Sequence, residues 1–313
     1  MKIFKSQQFQ RLKEIFKGEI LIDEPLKDHT TFKIGGPADY YVYPNDWDDL
    51  KNLLIFCNEE QIKRFVIGNG SNLLVHDNGF RGIVIDLSRG FDTIQSTGLV
   101  VYAGAGVSIS DLLKYCVERG LSGMEPLIGI PGQIGGAICL NAGAWDMEVS
   151  NNLLTVEILD EYGTEEKIHH DEIDFGYRYT DLPEKGVIVG ASFQLKEGNP
   201  REMSERQRGF MKKRKSKQPL NLPSAGSVFK SPSGNYAGRL IEEAGCKGTR
   251  IGDAMVSKKH ANFIVNVGNA TAVDVSRVIE EVEKIVLERF DIQLETEIHR
   301  LGFDDQGARK NCG

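Results

Sequence analysis

The sequence predicts an α+β protein built from several folding units, and three observations support that prediction. The chain has 313 residues, which is too long for one compact core, so two or three domains are expected. Apolar runs of strand length alternate with amphipathic segments of helical period along most of the chain. Two glycine-rich loops, at residues 68–72 and 129–143, break this alternation where a ligand could approach the backbone.

The order of the expected elements divides the chain into three units and a tail. We expect a first α+β unit over residues 1–89, a second over 90–217 and a third, α/β unit over 218–303. The boundary near residue 217 is placed where a basic segment runs into Pro219, because proline ends regular structure. The polar residues 304–313 are expected to be a frayed tail.

Cap residues, glycine stops and alternation predict the individual elements. The basic and apolar N-terminus predicts an amphipathic helix rather than a signal peptide, because no uninterrupted apolar stretch follows its charges. Further helices are expected after Asn45 or Asp46, from Ser108 or Ser110 to Gly120, and from a capping box at Thr271 to Phe290. Strands are expected on both sides of the Gly35-Gly36 turn, at residues 65–67, 73–75, 82–87 and 99–103, repeatedly between 154 and 195, and at 294–298.

Charge and composition exclude several classes of protein. The net charge of −7 argues against a general nucleic-acid binder, whose footprint would be basic. The apolar runs fall far short of the ~20 residues that a membrane helix needs. The five cysteines are odd in number and irregularly spaced, which fits neither a disulfide framework nor a zinc site. We therefore expect reduced thiols in a cytoplasmic protein with no bound metal.

The two glycine-rich loops are suited to a pyrophosphate. Glycine lets backbone N–H groups approach an anion closely and adopt a positive φ. The candidate residues of the first loop are Gly68, Asn69, Gly70, Ser71 and Asn72, and those of the second are Gly129, Pro131, Gly132, Gly135 and Gly136. Either loop alone could be an ordinary tight turn, but the two together favour dinucleotide binding.

Three further segments carry groups suited to reducing and protonating a carboxylated alkene. Arg178 offers a planar fork for a carboxylate, Ser227 offers a hydroxyl on a glycine turn, and Glu297 lies in the predicted strand at 294–298. Each residue alone also fits an ordinary role, as a surface ion pair, a turn serine and a solvent-facing glutamate. The hypothesis of a site that reduces and protonates a carboxylated alkene depends on the three residues together.

Ordered motifs along the chain resemble one family. They are Gly35-Gly36-Pro37-Ala38-Asp39, Gly68-Asn69-Gly70-Ser71-Asn72-Leu73-Leu74, Gly129-Ile130-Pro131-Gly132 through Asn141-Ala142-Gly143-Ala144, Tyr177-Arg178, Ser224-Ala225-Gly226-Ser227-Val228-Phe229-Lys230, Lys259-His260-Ala261-Asn262-Phe263 and residues 294–297. With these motifs, and with a match that begins at His29-Thr30-Thr31-Phe32 and extends to Leu301, the chain resembles the UDP-N-acetylenolpyruvoylglucosamine reductases. Those flavoenzymes complete UDP-N-acetylmuramate for bacterial peptidoglycan.

The resemblance implies a fold, cofactors and residue roles. The first two units would form an FAD-binding fold of the PCMH type, shared with vanillyl-alcohol oxidases, and the third would bind the UDP-sugar. FAD and NADPH are the implied cofactors, and we expect a monomer. Arg178 and Glu297 would hold and polarise the enolpyruvyl carboxylate, and Ser227 would donate the proton. Tyr177, Lys217 and His260 are the implied substrate contacts.

The short span from Arg178 to Ser227 resembles the type II subfamily, which lacks an inserted loop with a substrate-covering tyrosine. The chain departs from the family pattern at Trp145, where tyrosine is common, and at Thr180, Ser231 and His260.

Three other functions remain to be weighed. Ser227-Val228-Phe229-Lys230 matches the S-x-x-K of serine acyltransferases, but the expected later K-T-G is absent. An oxidase of small alcohols with covalent flavin would need a tethering histidine or cysteine, and no segment suggests one. A nucleotide sensor could use the basic residues 212–217, although such a run is usually a solvated helix face.

Overall fold

Residues 6–89 form a four-stranded sheet flanked by two helices. The computed structural model describes residues 6–303 of the chain. The elements of this part are α1 (Ser6–Ile15), β1 (Glu19–Pro25), β2 (Pro37–Tyr43), α2 (Trp47–Glu59), β3 (Arg64–Ile67), β4 (Leu73–Val75) and β5 (Phe80–Asp86), with a 3₁₀ turn at Leu26–His29. The sheet order is β1-β2-β5-β3, in which β1 is antiparallel to β2 and the other two pairs are parallel.

Local signals predicted this first part well, apart from one strand. Asp46 caps α2 by accepting a hydrogen bond of 2.9 Å from the backbone N–H of Asp49, as expected. The strand expected before the Gly35-Gly36 turn is wrong. Lys33 (φ +58°) and Gly35 (φ +138°) leave the extended region, so this backbone loops and β1 pairs with β2 instead.

Residues 90–217 form an antiparallel sheet covered by helices on one face. The elements are β6 (Ile94–Thr97), β7 (Val100–Gly104), α3 (Ile109–Arg119), β8 (Leu121–Ser122), α4 (Ile134–Cys139), β9 (Gly143–Ala144), β10 (Met147–Glu148), β11 (Leu153–Leu159), β12 (Glu165–His169), β13 (Phe175–Gly176), β14 (Tyr179–Thr180), α5 (Leu182–Lys185), β15 (Val187–Gln194), β16 (Lys196–Glu197) and α6 (Pro200–Lys217). The main sheet has the order β12-β11-β15-β7-β6. Ser108 caps α3 and Gly120 (φ +65°) ends it, which confirms both predictions.

Residues 218–303 form a smaller unit around one long helix. Its elements are α7 (Ala237–Glu243), β17 (Arg250–Ile251), β18 (Ala254–Val256), β19 (Ile264–Asn266), α8 (Ala272–Phe290) and β20 (His299–Leu301). The capping box of Thr271 and Asp274 starts α8 as predicted. The strand expected at 294–298 is wrong, because that segment makes a single bridge, between Phe229 and Thr296. It stays extended and leads into β20.

The third unit is joined tightly to the first. Strand β20 pairs in parallel with β4, which lies outside the four-stranded sheet. Phe32, Ile34 and Leu74 pack in the same buried cluster as the apolar face of α8. The carboxylate of Asp77 accepts a hydrogen bond of 2.9 Å from the N–H of Ala272 at the start of α8. These contacts hold the residues after 218 against the first part of the chain. The division into three units stays a prediction.

The described residues 6–303 contain four buried cysteines that form no disulfide: Cys57, Cys116, Cys139 and Cys246. Burial raises the pKa of the Cys57 and Cys116 thiols to about 12. The same residues hold no group of three metal-ligating side chains and no helix long and apolar enough to cross a membrane. The predicted frayed tail at 304–313 lies outside the described residues.

Candidate active site

The first glycine-rich loop presents a row of free backbone donors. It follows β3 and runs over residues 68–72 to β4. Gly70 has φ +55°, and a Cβ built on it would lie 2.2 Å from the carbonyl oxygen of His29. The loop therefore needs glycine there in order to sit against the backbone. Across residues 6–303, no group accepts a hydrogen bond from the N–H groups of residues 69–72. Four consecutive free donors of this kind suit an anionic oxygen cluster.

The second loop lies beside the first. A Cβ on Gly132 would lie 3.9 Å from the Ser71 hydroxyl oxygen. Gly68, Gly135 and Gly136 line one narrow cavity, together with Ile188 of β15. The two predicted loops therefore face the same cleft.

The structure also gives other reasons for some glycines of the second loop. Gly129 has φ +80°, and a Cβ there would lie 2.7 Å from the terminal carbon of Met211 on α6. The N–H of Gly135 is already bonded to the carbonyl of Ala105 at 2.9 Å, and that of Gly132 to Ile130 at 3.1 Å. Pro131 is exposed. The predicted roles of these residues toward a cofactor are untested.

Sequence reasoning missed Arg214 of α6. Its side chain is buried against the second loop: a Cβ built on Gly129 would lie 2.9 Å from its Cδ. The Nε atom has no hydrogen-bond partner among residues 6–303. Burial lowers the pKa of this guanidinium, which still remains charged. Arg214 lies on the face of α6 that also buries Met203, and that shared helical face could have distinguished it from the basic residues around it.

Arg178 lies at the tip of the hairpin between β13 and β14. Its Nε donates to Oε1 of Glu297 at 2.8 Å, and its Nη2 donates to the carbonyl of Gly143 at 3.1 Å. The guanidinium carbon lies 5.0 Å from the centre of the Tyr177 ring. The backbone φ of Arg178 is +58°, an unfavourable value for a residue with a side chain. The surrounding structure thus holds this guanidinium in place at a conformational cost.

Glu297 is the buried partner of that cation. Its side chain is 15% exposed. Burial raises the pKa of the Glu297 carboxyl above its ordinary value, and the Arg178 guanidinium offsets only part of the rise. The carboxyl is therefore poised to hold a proton more readily than a surface glutamate.

The segment that carries Ser227 is hydrogen-bonded to Glu297 through Val228, the residue that follows Ser227. The N–H of Glu297 donates to the carbonyl of Val228 at 2.7 Å. Asn262, a second residue that the sequence prediction missed, holds this segment: its carbonyl accepts from Val228 N at 2.9 Å, and its side chain exchanges two hydrogen bonds with the backbone of Phe229. The Ser227 hydroxyl makes no hydrogen bond to any other group within 6–303. It is therefore free to face a ligand.

Lys230 argues against the acyltransferase alternative. In an S-x-x-K site the lysine would lie at the serine hydroxyl. Here its Nζ pairs instead with Glu295, at 3.4 Å.

The implied substrate contacts lie around this centre. Tyr177 is 50% exposed, and Lys217 is exposed at the end of α6. The Nδ1 atom of His260 accepts a hydrogen bond of 3.2 Å from the N–H of Asn262, the residue that holds the Ser227 segment. Burial, with further contributions from Lys247 and Lys217, lowers the pKa of His260. The imidazole is therefore neutral near pH 7.

Comparison with known proteins identifies the family. Residues 218–301 match the model of the UDP-N-acetylenolpyruvoylglucosamine reductase C-terminal domain, and residues 38–169 match that of an FAD binding domain. The UDP-N-acetylenolpyruvoylglucosamine reductase of Caldanaerobacter subterraneus subsp. tengcongensis is 45% identical over 294 residues, which cover 93% of this chain and 97% of the relative. That of Bacillus subtilis is 42% identical over 295 residues, 94% of this chain and 97% of the relative.

The chain belongs to the UDP-N-acetylenolpyruvoylglucosamine reductase family. The crystal structure of the Thermus caldophilus member superposes with a TM-score of 0.78 at 38% identity, covering 91% of this chain and 99% of that one. The expected reaction and FAD-binding fold are confirmed. The chain is an FAD-dependent oxidoreductase that reduces the enolpyruvyl group of a UDP-N-acetylglucosamine derivative to give UDP-N-acetylmuramate in peptidoglycan synthesis.

The residues present fit FAD. The dinucleotide carries a diphosphate, and the first loop offers the four free N–H groups of residues 69–72, while buried Arg214, whose Nε has no partner among residues 6–303, packs against Gly129 of the second loop. Neutral backbone donors together with one buried cation are the groups that such a diphosphate requires.

Proposed function

We propose that Arg178, Glu297 and Ser227 carry the reduction of the enolpyruvyl group. The observation that supports this most strongly is the 2.8 Å pair of Arg178 and Glu297, which is bonded through the Glu297 backbone to the segment that bears Ser227. A fixed cation and a carboxyl of raised pKa are thereby held beside the segment that carries the Ser227 hydroxyl.

Arg178 binds the substrate carboxylate and stabilises the charge that develops on it. Hydride addition to the terminal carbon of the enolpyruvyl group places negative charge on C2 and the carboxylate. Glu297 and Gly143 occupy two of the guanidinium nitrogens, which leaves the remaining N–H donors for the substrate. A preorganised group of this kind is typically worth roughly 3 kcal/mol in the transition state.

Glu297 and Ser227 handle the proton. A Glu297 carboxyl with raised pKa holds or shares a proton beside the developing charge and so avoids repelling it. Ser227 then protonates C2. A serine hydroxyl is a weak acid, but an enolate-like carbanion is a strong base, so the position of the hydroxyl decides the rate.

The cofactor is held by the two loops and Arg214. Bound FAD would supply the hydride, and NADPH would be its reductant. We infer that the backbone of residues 69–72 and the Arg214 guanidinium hold its diphosphate non-covalently, with the second loop completing the cleft.

Tyr177, Lys217 and His260 are proposed to contact the UDP-sugar, on the basis of their positions around the Asn262 and Ser227 segments. We further propose that the protein lies in the cytoplasm, since its product is a cytoplasmic precursor. We also propose that it is a monomer.

Flavin absorbance at 450 nm tests the proposal. NADPH should bleach the purified protein, and UDP-N-acetylglucosamine enolpyruvate should restore the colour under anaerobic conditions. Acid precipitation should release all flavin into the supernatant. Faster bleaching by NADH than by NADPH would contradict the NADPH assignment, and flavin in the pellet would contradict non-covalent binding.

A further inference from the structure

We propose that the first glycine-rich loop positions the catalytic groups as well as the cofactor, through the side chains of Asn72 and Thr31. These two are positioning residues for Glu297 and Ser227 respectively. The inference rests on the roles proposed above for Glu297 and Ser227.

Asn72 makes hydrogen bonds to the backbone on both sides of Ile298. Its side-chain Nδ2 donates to the carbonyl of Glu297 at 3.0 Å, and its own carbonyl accepts from the N–H of His299 at 2.8 Å. The two segments are 225 residues apart in sequence. The segment at 294–298 makes a single β-bridge, with two backbone hydrogen bonds to residues 228 and 230, and the Asn72 side chain bonds the Glu297 carbonyl from outside that bridge. The Asn72 side chain therefore restrains the backbone from which Glu297 reaches Arg178.

Thr31 makes the corresponding link to Ser227. Its N–H donates to the carbonyl of Gly70 at 3.2 Å, and its hydroxyl donates to the carbonyl of Ser224 at 2.7 Å. Ser224 lies three residues before Ser227, and the bend at Gly226 (φ +75°) lies between them. Thr31 thus connects the loop to the proton donor, as Asn72 connects it to the carboxyl.

The consequence is a coupling between cofactor binding and catalytic geometry. The N–H groups of residues 69–72 are free to bind the diphosphate, while the same loop is bonded to both catalytic segments. Ordering of the loop by FAD should therefore reduce the motion of residues 224–229 and 294–299. Two separate side chains carry the two links, so each can be removed by its own substitution, while the hydrogen bond from the Glu297 N–H to the Val228 carbonyl still joins the two segments.

Hydrogen–deuterium exchange of the apo-protein with and without FAD tests the coupling without any turnover. In the wild type, FAD should slow exchange in both segments. Asn72→Ala should reduce the FAD-dependent protection more at 294–299 than at 224–229, and Thr31→Val should do the reverse, because the hydrogen bond between Glu297 and Val228 passes part of each loss to the other segment. Asn69→Ala is the matched control: it truncates an amide of the same loop that makes no link to 294–299 among the described residues. It should weaken FAD binding without selective loss in either segment.

Half-reaction rates provide the second readout. Both Asn72→Ala and Thr31→Val should slow reoxidation by the UDP-sugar roughly 10- to 100-fold, and by more than they slow flavin reduction by NADPH, because small displacements of catalytic groups cost that much. Thr31→Ser, which keeps the hydroxyl, should restore both the exchange pattern and the rate. It also keeps the inference testable should Thr31→Val fold poorly.

Wild-type protection and reoxidation in Asn72→Ala and Thr31→Val would overturn the inference. Failure of the proposed function looks different: Glu297→Gln and Ser227→Ala would then reoxidise normally, whatever exchange pattern the loop variants showed.

Discussion

The left-handed backbone conformation of Arg178 leads to a prediction about two substitutions that should differ in stability but not in activity. At φ +58°, a residue with a Cβ carries a conformational cost of about 1–2 kcal/mol. Arg178→Ala and Arg178→Gly both remove the guanidinium and leave Glu297 buried without its cation. They differ only in the backbone strain that remains.

The difference between the two variants can be worked out. Glycine relieves the strain of about 1–2 kcal/mol, but it costs about 0.5–1 kcal/mol relative to alanine through its freer unfolded chain. Arg178→Gly should therefore unfold with a free energy up to about 1.5 kcal/mol higher than that of Arg178→Ala, with a central value of about 0.75 kcal/mol. Both variants lose the same charge stabilisation of roughly 3 kcal/mol, so reoxidation by the UDP-sugar should slow by a factor of about 150 in each.

Urea denaturation of the two FAD-loaded variants gives the stability difference, and stopped-flow absorbance gives the rate. An alanine variant that is more stable than the glycine variant would refute the claim that the fold holds Arg178 in a strained conformation. A glycine variant with near-normal reoxidation would refute its role in binding the carboxylate.

Two further predictions concern residues around the site. Trp145 is 36% exposed and stacks on Phe210 with ring centres 5.7 Å apart, and it lies in the same turn as Gly143, the acceptor for Arg178. In a Trp47→Phe protein, saturating UDP-sugar should therefore quench or shift Trp145 fluorescence, and an indifferent spectrum would place it outside the ligand path. Because burial lowers the pKa of His260, the unfolded chain takes up its proton first as the pH falls below about 6.5. The free energy of unfolding should fall in that range and less so in His260→Gln; identical pH slopes would contradict this.

Local signals in the sequence predicted the helix ends, because each depends on a few neighbouring residues. Asp46, Ser108 and Thr271 all cap helices as expected. The strand before Gly35 failed because the positive φ of Lys33 is imposed by packing and leaves no mark in the alternation. The segment at 294–298 alternates like a strand, yet it forms only one β-bridge, between Thr296 and Phe229.

The site could be predicted only as separate pieces. Arg178 and Glu297 are 119 residues apart in sequence, and no periodicity indicates that they form a pair; family resemblance supplied that expectation. Arg214 was hidden in a basic run because its burial depends on the second loop packing against α6. Asn262 was visible within a motif, but its bonds to Phe229 depend on the folded third unit.

The central claim is that Ser227 protonates the substrate carbon beside the Arg178 and Glu297 pair, and Ser227→Ala tests it most directly. Stopped-flow absorbance at 450 nm should show flavin reduction by NADPH nearly unchanged, because that half-reaction involves no protonation of the substrate. Reoxidation by UDP-N-acetylglucosamine enolpyruvate should slow by several orders of magnitude. Reoxidation of Ser227→Ala at the wild-type rate would contradict the account and leave the hydroxyl as part of a turn.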